Sequence, residues 1–148
     1  MKKIIVMTLS FILVFGNTSY AAEVPCVNSQ NDTAATKEEL YKNIFITMIY
    51  PYVEKAIQDY YSQYLTYLPG EDPWSYKFLK IEKTPGKNYS YTVQLEAQPY
   101  VGPHLSVGAD RITLGIDLGQ ITIEQFEHIK SYELPFNYQD IIKKKLSM

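Results

Sequence analysis

His104 and His128 are the two imidazoles of this 148-residue chain, and both lie near residues with which they could do chemistry. His104, Ser106 and Asp110 share one short segment and supply the residue types of a base, a nucleophile and an orienting acid. Their arrangement does not fit that chemistry. His104-Leu105-Ser106-Val107-Gly108 lacks the first glycine of a nucleophile elbow, and it leads into a strand where the elbow requires a helix. A metal needs several converging donors, yet His104 and His128 with Asp110, Glu124 and Glu127 match no metal-ligand spacing. No glycine-rich loop opens a helix as a phosphate cradle would. The sequence therefore implies no metal and no cofactor.

The best candidate site is the segment from Pro99 to Asp110, with Tyr100, Gly102, His104, Gly108 and Asp110 as candidate binding residues. Pro99 and Pro103 stiffen it, Gly102 and Gly108 permit positive φ, and Tyr100 and His104 offer a ring and a titratable group. The competing reading is a connector that only shapes a crossover between strands. Gln98-Pro99-Tyr100-Val101-Gly102 also stands where cystatin-type inhibitors carry a glutamine-valine-glycine wedge, but the valine is displaced by one place and Pro99 intrudes.

The elements that must position this segment follow from periodicity. Thr36-Lys37-Glu38-Glu39 has the spacing of a reciprocal N-cap, and an apolar run begins at Leu40. Pro51 predicts a kink or the start of a second helix. Val53, Ala56, Ile57, Tyr60 and Tyr64 then share one helical face, which ends near Pro69-Gly70. From Trp74 the period becomes 2, the mark of strands. Strands are expected over Tyr76 to Lys83 and Tyr89 to Gln98, joined by the turn Pro85-Gly86-Lys87-Asn88. The segment Pro99 to Gly108 reads as a long loop, and Ile112, Leu114 and Ile116 restore the alternation. A fourth strand runs from Ile121 to about Ile129, and its apolar parity shifts from Ile121 and Ile123 to Phe126, which predicts a bulge. Phe136 to Leu146 reads as a short amphipathic helix. Its final Lys143-Lys144-Lys145 suits a helix C-terminus, the alternative being contact with an anionic wall polymer or lipid head groups. The fold class is α+β: an N-terminal helix or kinked helix pair packed on a four-stranded antiparallel sheet, the plan of cystatin-like and nuclear-transport-factor-like domains.

Met1-Lys2-Lys3, the apolar stretch Ile4 to Phe15, and Ser19-Tyr20-Ala21 have the order of a secretory signal cleaved after Ala21. The expected organisation is a signal peptide over 1–21, a disordered lead-in over 22–36, a single domain over 37–130 and a C-terminal extension over 131–148. A net charge of -2 and a pI near 5.7 argue against a phosphate-binding surface, so nucleic acid is excluded as a partner. Cys26 is the single cysteine, so no internal disulfide braces an exported domain of this size.

Two stretches carry a resemblance. Pro51-Tyr52-Val53-Glu54-Lys55-Ala56-Ile57-Gln58-Asp59-Tyr60-Tyr61 is one; Gln98-Pro99-Tyr100-Val101-Gly102-Pro103-His104 with Val107-Gly108-Ala109-Asp110-Arg111-Ile112-Thr113 is the other. Together they resemble a family of small exported proteins of spore-forming Gram-positive bacteria, known as a domain of unknown function. The resemblance covers about Leu40 to Ile129 and implies an extracellular or wall-associated bacterial protein. It brings no activity, ligand or catalytic residue with it. The preferred functional reading is an exported, non-enzymatic binding or interaction module that meets another protein, a wall polymer or a small molecule, free of the membrane after signal cleavage. The alternatives are a small secreted enzyme using His104 and a carboxylate, and a cystatin-like protease inhibitor.

Overall fold

The computed structural model describes residues 35–144. The expected signal peptide, its cleavage point, most of the lead-in and Cys26 lie outside them. Helix α1 (Lys37–Tyr61) begins at the expected cap: the Thr36 amide donates to Glu39 Oε2 at 2.7 Å, and the Glu39 amide donates to Thr36 Oγ1 at 3.2 Å. The helix runs through Pro51 as one element, so of the two expectations, a kink or a second start, the second start does not occur. Pro51 is exposed, while Ile46, Ile49, Val53, Ile57 and Tyr61 stay buried on both sides of it. Packing along that stripe outweighs one lost hydrogen bond. Among the described residues no helix is long and apolar enough to cross a membrane.

The sheet consists of β1 (Lys77–Lys83), β2 (Tyr91–Ala97), β5 (Gly108–Asp117) and β6 (Gln120–Ser131), antiparallel throughout and in that order. Helix on one face and four antiparallel strands make the architecture α+β, as the pattern implied. Val93, Leu95 and Ala97 of β2 and Ile112 and Leu114 of β5 point under α1 and are buried. The other face is wet and held by polar cross-strand contacts, such as Arg111 Nη2 donating to Glu96 Oε1 at 2.9 Å.

The segment expected as a long loop is instead a small second sheet. Strands β3 (Tyr100–Val101) and β4 (Leu105–Ser106) form a hairpin around Gly102, Pro103 and His104. Its first strand also pairs with Gly70, whose amide and carbonyl bond those of Tyr100 at 2.9 Å each. Alternation is too short here to be visible as a period, and the prolines conceal it.

Two shifts of register mark β6. Thr113 pairs Gln125 but Leu114 pairs Ile123, so Glu124 is extra, where the parity change predicts a bulge. A second shift sets Ala109 against Lys130 and Asp110 against His128, leaving Ile129 extra. The helix expected over Phe136 to Leu146 is a short 3-10 turn, Phe136–Ile141. Leu134 and Ile141 are buried, and the Thr66 amide donates to the Ile141 carbonyl at 2.8 Å. Lys143 Nζ donates to the carbonyl of Ser62, the C-cap of α1, at 3.1 Å, so this cation sits at the end of the long helix rather than of its own.

Candidate functional site

The candidate residues separate into two groups. Tyr100, Gly102 and His104 lie on the β3–β4 hairpin, whereas Gly108 and Asp110 begin β5 inside the main sheet.

At the hairpin tip the Tyr100 and His104 rings stack, with centroids 4.1 Å apart and planes 29° from parallel. The His104 side chain is 65% exposed, and its Nδ1 lies 3.4 Å from Asp72 Oδ2. His104 holds φ +58°, unusual for a residue with a side chain, and Gly102 holds φ +51°. Gly102 also has a packing reason to be glycine, because a Cβ there would lie 2.5 Å from the Tyr138 hydroxyl. Burial, reinforced by Asp72, raises the Tyr100 phenol above its ordinary range. Beneath the tip Glu71 is buried with both carboxylate oxygens free of a hydrogen bond of standard geometry. Burial pushes its carboxyl up to about 7, with the neighbouring charge of Glu54 adding to the rise and the nearby Tyr76 hydroxyl opposing it.

The second group is a chain of side chains. Asp110 is fully buried on β5, on the same inward parity as Ile112 and Leu114. His128 of β6 places Nδ1 2.6 Å from Asp110 Oδ1 and Nε2 2.7 Å from Ser131 Oγ. With the carboxylate ionised and the ring neutral, Nδ1 donates to Asp110 and Nε2 accepts from the Ser131 hydroxyl. Tyr60 stacks on the imidazole at 5.2 Å, and Tyr61 meets it edge-on at 6.1 Å. Burial raises the Asp110 carboxyl above its ordinary range, while His128 and Tyr61 counter that rise. The Tyr61 hydroxyl and Asp110 Oδ2 are both buried without a hydrogen bond of standard geometry, yet the hydroxyl is near enough to favour the carboxylate. Gly108 makes room for this cluster, since a Cβ there would stand 2.7 Å from His128 Cε1 and from the Lys130 carbonyl oxygen.

Beside the cluster a groove of about 440 Å3 runs between α1 and β6, past Tyr52, Tyr60, Ile123 and Phe126. A second groove, of about 380 Å3, is apolar and lies at the other end of the helix between Phe45, Met48, Ile81 and Tyr91. His104 lines neither. Among the described residues no three His, Cys, Asp or Glu side chains converge as a metal site requires.

A family model described as "Protein of unknown function (DUF3888)" matches residues 41–130. The chain belongs to this family. The DUF3888 match agrees to within a residue at each end with the span of the resemblance carried by the tyrosine pair and the hairpin segment, Leu40 to Ile129. It takes in the hairpin, Asp110 and His128, and it stops one residue before Ser131. No curated protein and no solved structure matches the chain.

Within this DUF3888 domain, the sequence offers His104, Ser106 and Asp110 as neighbours whose arrangement does not fit nucleophilic chemistry, and it places Asp110 with His128 only among donors that match no metal-ligand spacing. In the structure Asp110 meets His128, 18 residues further on, and His128 in turn meets Ser131. A signal was present all the same. Asp110 continues the apolar parity of Ile112 and Leu114, and His128 continues that of Phe126, so two ionisable residues fall on the inward faces of adjacent strands. Burying an ionisable group is costly unless it is paired, so two of them on the inward faces of adjacent strands point to a pair.

Proposed function

We propose that this DUF3888 domain is an exported recognition module, extracellular or wall-associated, that binds a protein or a wall polymer through the β3–β4 hairpin tip. One observation carries the reading. The Tyr100–His104 stack is presented to solvent on a hairpin that is tied at its base to Gly70 and at its tip to Asp72, with a non-glycine residue held at positive φ. Strain of this kind persists only where surrounding structure enforces it, and it concentrates where a surface must be preorganised. Export is supported by the charged, apolar, small-residue order of residues 1–21. The acidic balance of the chain disfavours nucleic acid as the partner.

The test pairs stability with binding. Wild type, Tyr100→Ala and His104→Ala are sedimented with purified Gram-positive cell walls and used as bait for extracellular proteins. Both variants should melt near wild type and lose the captured partner. Retention of every partner by both variants would reduce the hairpin to a connector. In culture medium, mass spectrometry should find a soluble chain beginning at Ala22, and an intact N-terminus confined to the membrane fraction would refute export in this form.

A further inference from the structure

The Asp110–His128–Ser131 chain lies apart from the hairpin tip and stands whether or not the tip binds a partner. Its atoms run carboxylate, Nδ1, Nε2, hydroxyl, and both imidazole nitrogens are engaged at 2.6 Å and 2.7 Å. Burial falls along the chain in the sense that catalysis needs: Asp110 is 0% exposed and the His128 side chain 8%, while Ser131 is only half-buried at the end of β6. Asp110 engages Nδ1 and Ser131 engages Nε2, so the hydroxyl stands on the ring nitrogen that the carboxylate leaves free.

The bulge at Ile129 is what adds the serine. In a regular strand, residues three apart point to opposite faces, so Ser131 would turn away from His128. The extra residue at 129 restores the parity and brings the hydroxyl onto Nε2. Bulges that re-aim a side chain in this way are over-represented beside active sites.

We propose that Ser131 is a nucleophile activated by His128, with Asp110 as the positioning residue, and that it performs acyl transfer on carboxylic esters. Ser131 Oγ attacks the ester carbonyl carbon and its proton passes to His128 Nε2. Asp110 holds Nδ1 and stabilises the imidazolium. The ester C–O bond then breaks, the departing alkoxide takes the proton from Nε2, and water, deprotonated by the same nitrogen, releases the acid and regenerates Ser131. Tyr60 lies face-on and Tyr61 edge-on against the imidazole, which holds the ring in place.

The test uses a fluorophosphonate, whose phosphorus is attacked by an activated serine with loss of fluoride. Intact mass and peptide mapping of the folded wild-type protein should show one adduct, on Ser131, and none in Ser131→Ala. Its rate should fall by about 100-fold or more in His128→Ala, the usual contribution of a general base. Should His128→Ala fail to fold, the pH profile of wild type decides in its place: labelling must be slower in acid than at neutral pH, as dependence on a general base requires. Hydrolysis of p-nitrophenyl acetate, lost in Ser131→Ala, reads the acyl step. Absence of an adduct on Ser131, or a labelling rate indifferent to His128 and to pH, overturns the proposal and leaves the chain as a structural clamp.

Discussion

Asp110 and His128 face each other across β5 and β6 with 2.6 Å between Oδ1 and Nδ1, in the interior row that Asp110 shares with Ile112 and Leu114. Replacing Asp110 with Ala removes the acceptor and strands a mostly buried imidazole. Breaking a buried pair from one side costs about 3–5 kcal/mol. Asp110→Ala should therefore lower the urea midpoint sharply, whereas Ser131→Ala, at the half-buried end of the chain, should lower it by far less. Equal losses would contradict the burial gradient.

Glu71 predicts how stability varies with pH. Its carboxyl sits at about 7 in the fold against an ordinary 4.5, chiefly through burial. Below pH 4.5 both folded and unfolded chains are protonated there and its contribution to stability is intact. Between pH 4.5 and 7 the unfolded chain gives up the proton first, so stability falls as pH rises, and the loss is complete once the folded carboxyl has ionised too. The size is about 3 kcal/mol for that displacement. Glu71→Gln should flatten the fall seen by urea denaturation between pH 5 and 8, and an unchanged slope would show that Glu71 is not its source.

Gly102 and Gly86 both hold positive φ, +51° and +76°, but only Gly102 has a neighbour where a Cβ would go. Gly86→Ala should cost about 1 kcal/mol, the conformational term alone. Gly102→Ala should cost clearly more, because the Tyr138 ring must also move. Chemical denaturation of both variants and of Gly102→Ala/Tyr138→Ala separates the terms: the double variant should lose less than the sum of its single changes.

Helix α1 carries two apolar stripes, and only one is core. Ile57 is 1% exposed beneath the helix, whereas Ile44 is 58% exposed on the same helix. Ile57→Asp buries an unpaired charge and should prevent folding at ambient temperature; Ile44→Asp should change stability by no more than about 0.5 kcal/mol. Comparable melting temperatures would place the helix on the sheet with the wrong face.

The sequence alone determined those parts of the fold that rest on local rules. The Thr36–Glu39 cap, the helical stripe of Val53 and Ile57, the alternation of β2 and the bulge near Glu124 each arise from residues within a few positions of one another, where propensity and period act directly. Continuity of α1 through Pro51 was a tertiary decision: proline's local cost is set against a buried stripe that exists only once the sheet is in place. The hairpin at Tyr100–Ser106 was likewise decided by pairing, because strands of two residues are stabilised by Gly70 and by each other and leave no period to read. Asp110, His128 and Ser131 show the same division at the site. Their identities and inward parity were legible, but their meeting depends on which strand lies beside which and on a single extra residue at Ile129. Hydrogen bonds reach about 3 Å, and only the folded chain brings positions 18 residues apart within that distance.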